Sequence, residues 1–298
     1  MSDSSAPSSF QHRLEDIAAR ALLGSMRLLP YGPRVRLMGW IFARIVAPLA
    51  GYDQRVRDNL AYVRPDLPQA EVARLARAVP NNVGRTLIEM YSGQAFMARM
   101  AKAPLEGPGC AALLEAHEAG RPVIVVTGHF GNYLAPRAAL AGRGMEVGGL
   151  YNPMKNPFFN GHYVNAMRAT GETLFARDRS GFARLLKSIR AGGMAGLLID
   201  QYMGHGAPLT FFGKPAPTAL SAAELALKYN APLIPIYGIR QANGLDFKML
   251  VEAPIPIGTP EEMTQAANDS LEALTRKHME QWFWIHRRWK PERTSKST

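Results

Sequence analysis

The sequence predicts an α/β fold: a mixed, mostly parallel sheet flanked by helices, with a helical N-terminal layer. Three observations carry this prediction. Residues 10–105 read as helix punctuated by prolines, with no strand-like run. From Pro122 onward, short apolar runs alternate with helical stretches, the pattern of a sheet covered on both faces. The last two apolar runs are joined by Gln241-Ala-Asn-Gly244, a hairpin turn that makes the final pair antiparallel.

In chain order, residues 1–9 are Ser- and Ala-rich and are expected to be a disordered N-terminus. They lack a cationic n-region and do not read as a secretory signal. The helical layer is expected to break at Pro30, Gly32-Pro33, Pro48, Pro65, Pro68 and Pro104. Asp66-Leu-Pro-Gln-Ala-Glu71 feeds a helix whose acidic residue sits in the first turn, facing the positive end of the dipole. The α/β core is assigned to 106–292, with strands at 123–126, 145–150, 171–176, 195–200, 233–239 and 247–252. Helices are expected at 132–142, 157–170, 181–191, 218–230 and 260–287. Residues 10–292 are read as one domain, and 293–298 as a disordered tail.

Composition is ordinary for a globular chain of 298 residues, at 47% hydrophobic and 20% charged. The net charge of +11 is not ordinary, and it suits an acidic carrier protein or an anionic membrane as partner. Nucleic acid is set aside, because the basic residues are scattered and no zinc-finger, helix-turn-helix or RNP signature is present. A single cysteine, Cys110, excludes an internal disulfide and reads as an inert thiol in a reducing compartment. His12, His117, His162, His205 and His278 have no partner at metal-ligand spacing, so no metal is assigned. There is no P-loop, no GxGxxG after the first strand and no Gly-x-Ser-x-Gly elbow, which sets aside nucleotide-dependent and serine-hydrolase chemistry.

No segment reaches about 18 uninterrupted apolar residues. Residues 35–51 come nearest but carry Arg36 and Arg44, and Trp40, Ile41 and Phe42 beside these suit a helix lying in the headgroup region. Docking on the protein's own core is the competing reading. Residues 14–29 form a second Arg-punctuated apolar helix. Together the two favour surface attachment over a membrane span.

The most informative stretch is VIVVTGHFGNYLAPRAALA at 123–141. A buried strand runs into a Thr-Gly turn with His129 at its tip, where a histidine is held on rigid scaffold and faces a crevice, the position of a general base. Asn132 stands where the next helix opens and reads as its cap. The loops after the following strands bring Tyr151 and Asn152, then Arg177 to Gly181, then Asp200 and Gln201. Tyr133, Phe211, Phe212 and Gly213 are candidates to line an apolar groove, with plain core packing as the alternative for the aromatics.

Seven segments in order now carry a resemblance: Arg57-Asp-Asn-Leu60, Asn82-Val-Gly-Arg-Thr86, GHFGNY at 128–133, YNPMKNP at 151–157, ARDRSG at 176–181, IDQ with FFGKPAPT at 199–218, and the Trp-rich tail at 280–290. Across nearly its whole length the chain resembles the late acyltransferases of lipid A biosynthesis, within the wider lysophospholipid acyltransferase superfamily. That resemblance implies a histidine base that deprotonates an acceptor hydroxyl, which then attacks an acyl thioester on acyl carrier protein or coenzyme A. It implies no tightly bound cofactor, a lipid acceptor (a lipid A precursor or a lyso-aminolipid), and a peripheral or monotopic place on the cytoplasmic face of a Gram-negative inner membrane. It also gives Arg179 a role on phosphate or the thioester oxygen, and Asn132, Tyr133, Tyr151, Asn152, Arg177, Gln201, Phe211, Phe212 and Gly213 a place along the substrate.

One position departs from the pattern. The family signature is a histidine followed, after four residues, by Asp or Glu; His129 matches, and the acid falls on Leu134. Leucine neither orients the imidazole nor offsets its charge. Three explanations follow: another acid is recruited (Asp200, Asp178 or Glu172), the chemistry is impaired, or the chain is a non-catalytic lipid-binding member of the fold. Leu134→Asp or Leu134→Glu is expected to raise turnover by orders of magnitude.

Overall fold

The computed structural model describes residues 9–154 and 156–290. The expected disordered ends fall outside them, apart from Ser9, which opens the first helix (Ser9–Arg27). Among the described residues seven strands form one sheet: β1 (Leu105–Glu106), β2 (Val123–Thr127), β3 (Val147–Tyr151), β4 (Leu174–Ala176), β5 (Met194–Leu198), β8 (Leu233–Arg240) and β9 (Phe247–Val251). A small hairpin, β6 (Thr210–Phe211) with β7 (Lys214–Pro215), stands apart. The order is β1-β9-β8-β2-β5-β3-β4; every pair is parallel except β8 with β9, the predicted antiparallel hairpin. The fold class is therefore the expected one. The edge strand β1 lies at the boundary between the helical layer and the core, too short to carry a periodic signal.

Helix packing overrides two of the expected proline breaks. Pro33 lies in the first turn of helix Tyr31–Ile41, where its missing N–H is no loss. Pro48 follows a π-helical turn (Phe42–Val46), and the helix runs on to Ala50 before Gly51 ends it in the left-handed conformation. This helix packs on the longer helix Gln69–Met90. The approach is close at Gly84, where a Cβ would lie 2.5 Å from that of Phe42. Its buried face carries Val35, Met38, Ala43 and Ala47, while Leu37, Trp40, Ile45 and Leu49 are exposed. One face of the segment thus docks on the protein, as the competing reading expected, and the other leaves these apolar side chains open together with Arg36 and Arg44. No helix among the described residues is long and apolar enough to cross a membrane.

Two further boundaries move. The strand expected at 171–176 is confined to Leu174–Ala176. The last long helix covers Pro260–Lys277 and not 260–287. Beyond it Trp282 and Trp284, two residues apart, are both fully buried, a spacing that a helix cannot place on one face. The tail crosses the protein in irregular conformation and fills a core of Phe211, Phe212, Trp282, Trp284 and Trp289. Each buried indole N–H is satisfied: Trp284 donates to the Met279 carbonyl at 2.7 Å and Trp289 to that of Phe211 at 3.1 Å.

Candidate active site

His129 stands two residues beyond the end of β2, and Asp200 two residues beyond the end of β5. The strands are parallel neighbours with Thr127 opposite Leu198, so the pairing register carries the two side chains to the same place above the sheet. The His129 Nδ1 lies 2.8 Å from Asp200 Oδ1. The other carboxylate oxygen, Oδ2, accepts the His129 backbone N–H at 2.7 Å and the Trp282 indole N–H at 2.9 Å. Asp200 is almost fully buried; burial alone would raise its pKa, but the His129 imidazole and these three N–H donors hold it down at about 2. With Nδ1–H given to the carboxylate, Nε2 is left as the acceptor. The ring is gripped between Tyr133 and Phe283, with centroids 5.0 and 5.7 Å away.

The turn that carries His129 is over-determined. Gly131 takes a positive φ of 56°, and a Cβ there would meet the Gly238 carbonyl at 1.9 Å, so only glycine fits. Its N–H donates to the Gln281 carbonyl at 2.8 Å, and its carbonyl accepts from Asn82 Nδ2 at 2.9 Å and Thr86 Oγ1 at 3.0 Å. Behind these, Arg240 donates through Nε to Asn82 Oδ1 and forms a two-pronged ion pair with the fully buried Glu89. Glu89 also accepts from Asn132 Nδ2 at 2.8 Å. The Asn82 and Asn132 segments of the resemblance are thus parts of one buried polar network. The Arg57–Leu60 segment works on the tail in the same way, since Asn59 Nδ2 donates to the carbonyls of Trp284 and His286.

His129 lines a cavity of about 290 Å³ that runs over the sheet between β2, β3 and β5. Its walls are mostly apolar, with Leu134, Pro136, Leu140, Val147, Met167 and Leu174 among them. The volume lies near the low end of small-molecule sites, which span about 300–1,000 Å³. Of the residues that the resemblance places along the substrate, Tyr133, Tyr151, Asn152, Arg177 and Gln201 line it.

Other expected site residues lie elsewhere. Asn132 is fully buried, with its amide on Glu89 and its carbonyl oxygen accepting the Leu134 N–H at 2.9 Å. It locks the turn and does not cap the helix, which begins at Ala135 and not at 132. Phe211 and Phe212 belong to the tryptophan core, and Gly213 forms the tip between β6 and β7; none lines the cavity. Packing explains this, because the hairpin is pulled onto the tail by ring contacts of 5.1 to 5.9 Å. Arg179 opens helix Arg179–Arg190, is exposed and does not line the cavity, whereas Arg177 does. Of the other candidate acids, Asp178 caps that helix through the Gly181 N–H, and Glu172 is exposed.

Leu134 is buried in the apolar cluster beneath Tyr133 and against the cavity. Sequence reading missed Trp282 as the third donor to Asp200, and it missed Arg137, which lines the cavity and donates to the carbonyls of Val147, Met167, Gly171 and Thr173. Burial lowers the pKa of that guanidinium to about 10. Neither residue has a local signal, since their partners are remote in sequence. His286 and Arg288 lie in the irregular tail beyond the last long helix, which ends at Lys277. The His286 Nε2 accepts the Tyr202 N–H at 3.0 Å, and burial lowers its pKa to about 4. Arg288 is fully buried and donates to Gln201 and Pro217 carbonyls and Thr218 Oγ1. Burial together with the nearby Glu106 raises the Cys110 thiol. Among the described residues no group of three or more His, Cys, Asp or Glu side chains is placed to hold a metal ion.

Residues 10–291 match a family model described as bacterial lipid A biosynthesis acyltransferase. Over 174 residues the chain is 25% identical to a Haemophilus influenzae protein named lipid A biosynthesis acyltransferase. The match covers 57% of this chain and 54% of that relative, about half of each.

Proposed function

Since the chain belongs to the bacterial lipid A biosynthesis acyltransferase family, we propose that it is an O-acyltransferase using His129 as general base and Asp200 as the acid that orients it. The observation that carries the reading is the Nδ1-to-carboxylate bond at 2.8 Å on a ring that borders an apolar cavity. His129 Nε2 takes the proton of a lipid hydroxyl, and the oxygen attacks the thioester carbonyl. The C–S bond then breaks, and the imidazolium returns its proton to the departing thiolate. Asp200 stays ionised throughout and stabilises the imidazolium. The cavity takes the hydrocarbon of the acyl group. The donor is an acyl carrier protein or coenzyme A thioester, with no tightly held cofactor. The acceptor is a lipid A precursor or a lyso-aminolipid, met at the cytoplasmic face of a Gram-negative inner membrane by a peripheral or monotopic protein. The net positive charge and the exposed face of Trp40 and Leu49 support that placement.

The test is transfer in vitro from acyl carrier protein and coenzyme A thioesters to each class of acceptor. Transfer by the parent chain, cut about 10²–10⁴-fold in His129→Ala, is the expected result. No transfer with any combination would instead favour a non-catalytic lipid-binding protein, the reading that Leu134 keeps open.

Asp200 changes what an acid at 134 would do. The Nδ1 site is taken, and position 134 lies in an apolar cluster where an ionised carboxylate would cost several kcal/mol to bury. Leu134→Asp is therefore expected to lower the melting temperature and to leave turnover no higher than the parent's. A gain of orders of magnitude would show that Asp200 does not serve as the acid and that Leu134 impairs the enzyme.

A further inference from the structure

Behind the Gly131 turn lies an open groove of about 920 Å³ that shares no lining residue with the His129 cavity. Helix Tyr31–Ile41 with its π-helical turn forms one wall, and helix Gln69–Met90 the other. Five arginines face it: Arg44, Arg74, Arg77, Arg85 and Arg240. Two of them are neutralised, Arg240 by Glu89 and Arg74 by Glu71 and Glu280. Among the described residues no carboxylate stands within ion-pair distance of Arg44, Arg77 or Arg85. Arg85 is held in place, with Nε on Asn81 Oδ1 at 2.6 Å and Nη1 on the Gly244 carbonyl at 3.0 Å. Burial and then the nearby Arg240 lower its pKa, the electrostatic condition that an anion relieves.

One edge of the groove, beside the charged Arg74 and Glu280, adjoins exposed apolar side chains. Trp40 lines it while being 52% exposed, and on the same helical stretch Leu37, Ile45 and the 85% exposed Leu49 face outward. Guanidinium forks are suited to phosphate oxygens, and an indole with its apolar neighbours is suited to the headgroup level of a bilayer. We infer that this groove binds the phosphate of a membrane-lipid headgroup on Arg44, Arg77 and Arg85, with Trp40 inserted beside it. A soluble phosphate compound would use the arginines and leave the exposed Trp40, Leu37, Ile45 and Leu49 without purpose. The inference rests on the membrane-surface reading above and names its site. The floor of the groove, Asn82 and Gln281, is also what grips Gly131, so the bound lipid sits directly behind the turn that carries His129.

The test uses the full chain with vesicles of phosphatidylcholine, alone or mixed with phosphatidylglycerol. Trp282, Trp284 and Trp289 are buried, so a shift of tryptophan emission on vesicle binding reports Trp40, and Trp40→Phe should abolish it. Removing two arginines from an anionic surface is worth about 1 kcal/mol each. Arg44→Gln with Arg77→Gln is therefore expected to weaken binding to the mixed vesicles about 30-fold. The pair Arg168→Gln and Arg184→Gln removes the same charge from exposed positions off the groove and should weaken it only a few-fold. Equal binding by parent and groove variant, or equal losses in both pairs, overturns the inference while leaving membrane attachment standing. A parent chain that binds neither vesicle overturns both. A saturable shift of Trp40 emission with inorganic phosphate alone would assign the groove to free phosphate and overturn the lipid as its source.

Discussion

Asp200→Asn is expected to lower kcat by about 10⁴-fold with the fold intact, the loss seen when a triad carboxylate becomes an amide. The hydrogen bonds explain why. Two donors, the His129 backbone N–H and the Trp282 indole, converge on Oδ2, while only His129 Nδ1 meets Oδ1. An asparagine keeps its carbonyl oxygen where two donors wait and turns its NH₂ toward Nδ1. Nδ1 must then accept, the ring proton moves to Nε2, and the nitrogen needed as base is lost. Steady-state kinetics together with a melting curve checks this. A variant that keeps more than a tenth of the parent's kcat would remove Asp200 from the mechanism. The pH dependence has a definite sign. Asp200 falls from an ordinary value of 3.8 to about 2, so its contribution to stability is fully present above about 3.8 and is lost as pH falls toward about 2. An acid limb of activity at higher pH belongs to another group.

Glu89→Ala is expected to destabilise the protein by about 3–5 kcal/mol, because it leaves Arg240 buried without a counter-charge. The carboxylate is fully buried and receives both prongs of Arg240 and the amide of Asn132, which in turn fixes the Leu134 N–H at the entry to the helix after His129. Denaturant unfolding reads the loss. The paired change Glu89→Leu with Arg240→Met should recover much of it, since removing both charges leaves no unpaired ion. A loss under 1 kcal/mol for Glu89→Ala would mean that water reaches Arg240 and the network is not closed. Activity is expected to fall with stability here, since the network holds the His129 turn from behind.

The legible part of the site was the part with local causes. The strand at 123–127, the Thr-Gly turn and the partly buried histidine are neighbours in sequence, and the apolar run and breaker residues mark them. The alternation of strand and helix after Pro122 and the Asn-Gly hairpin turn were equally local, and both are found. The tail was misread for the opposite reason. Residues 278–287 carry no glycine or proline stop, so periodicity extended the helix, and only the pull of three tryptophans into a distant core draws the chain out of it. Phe211 and Phe212 went the same way, since an aromatic pair beside a loop carries no sign of which apolar surface will claim it.

What the sequence alone determined is a sheet covered by helices, a histidine at the end of its first long strand, a family, and an acid missing from the customary place. Whether that histidine has a carboxylate partner was decided elsewhere, by the register of two strands about 70 residues apart in sequence. Backbone hydrogen bonding pairs Thr127 with Leu198, and that pairing sets Asp200 beside His129. Patterns of neighbouring residues encode local conformation, but a contact across the sheet exists only after the strands have chosen each other.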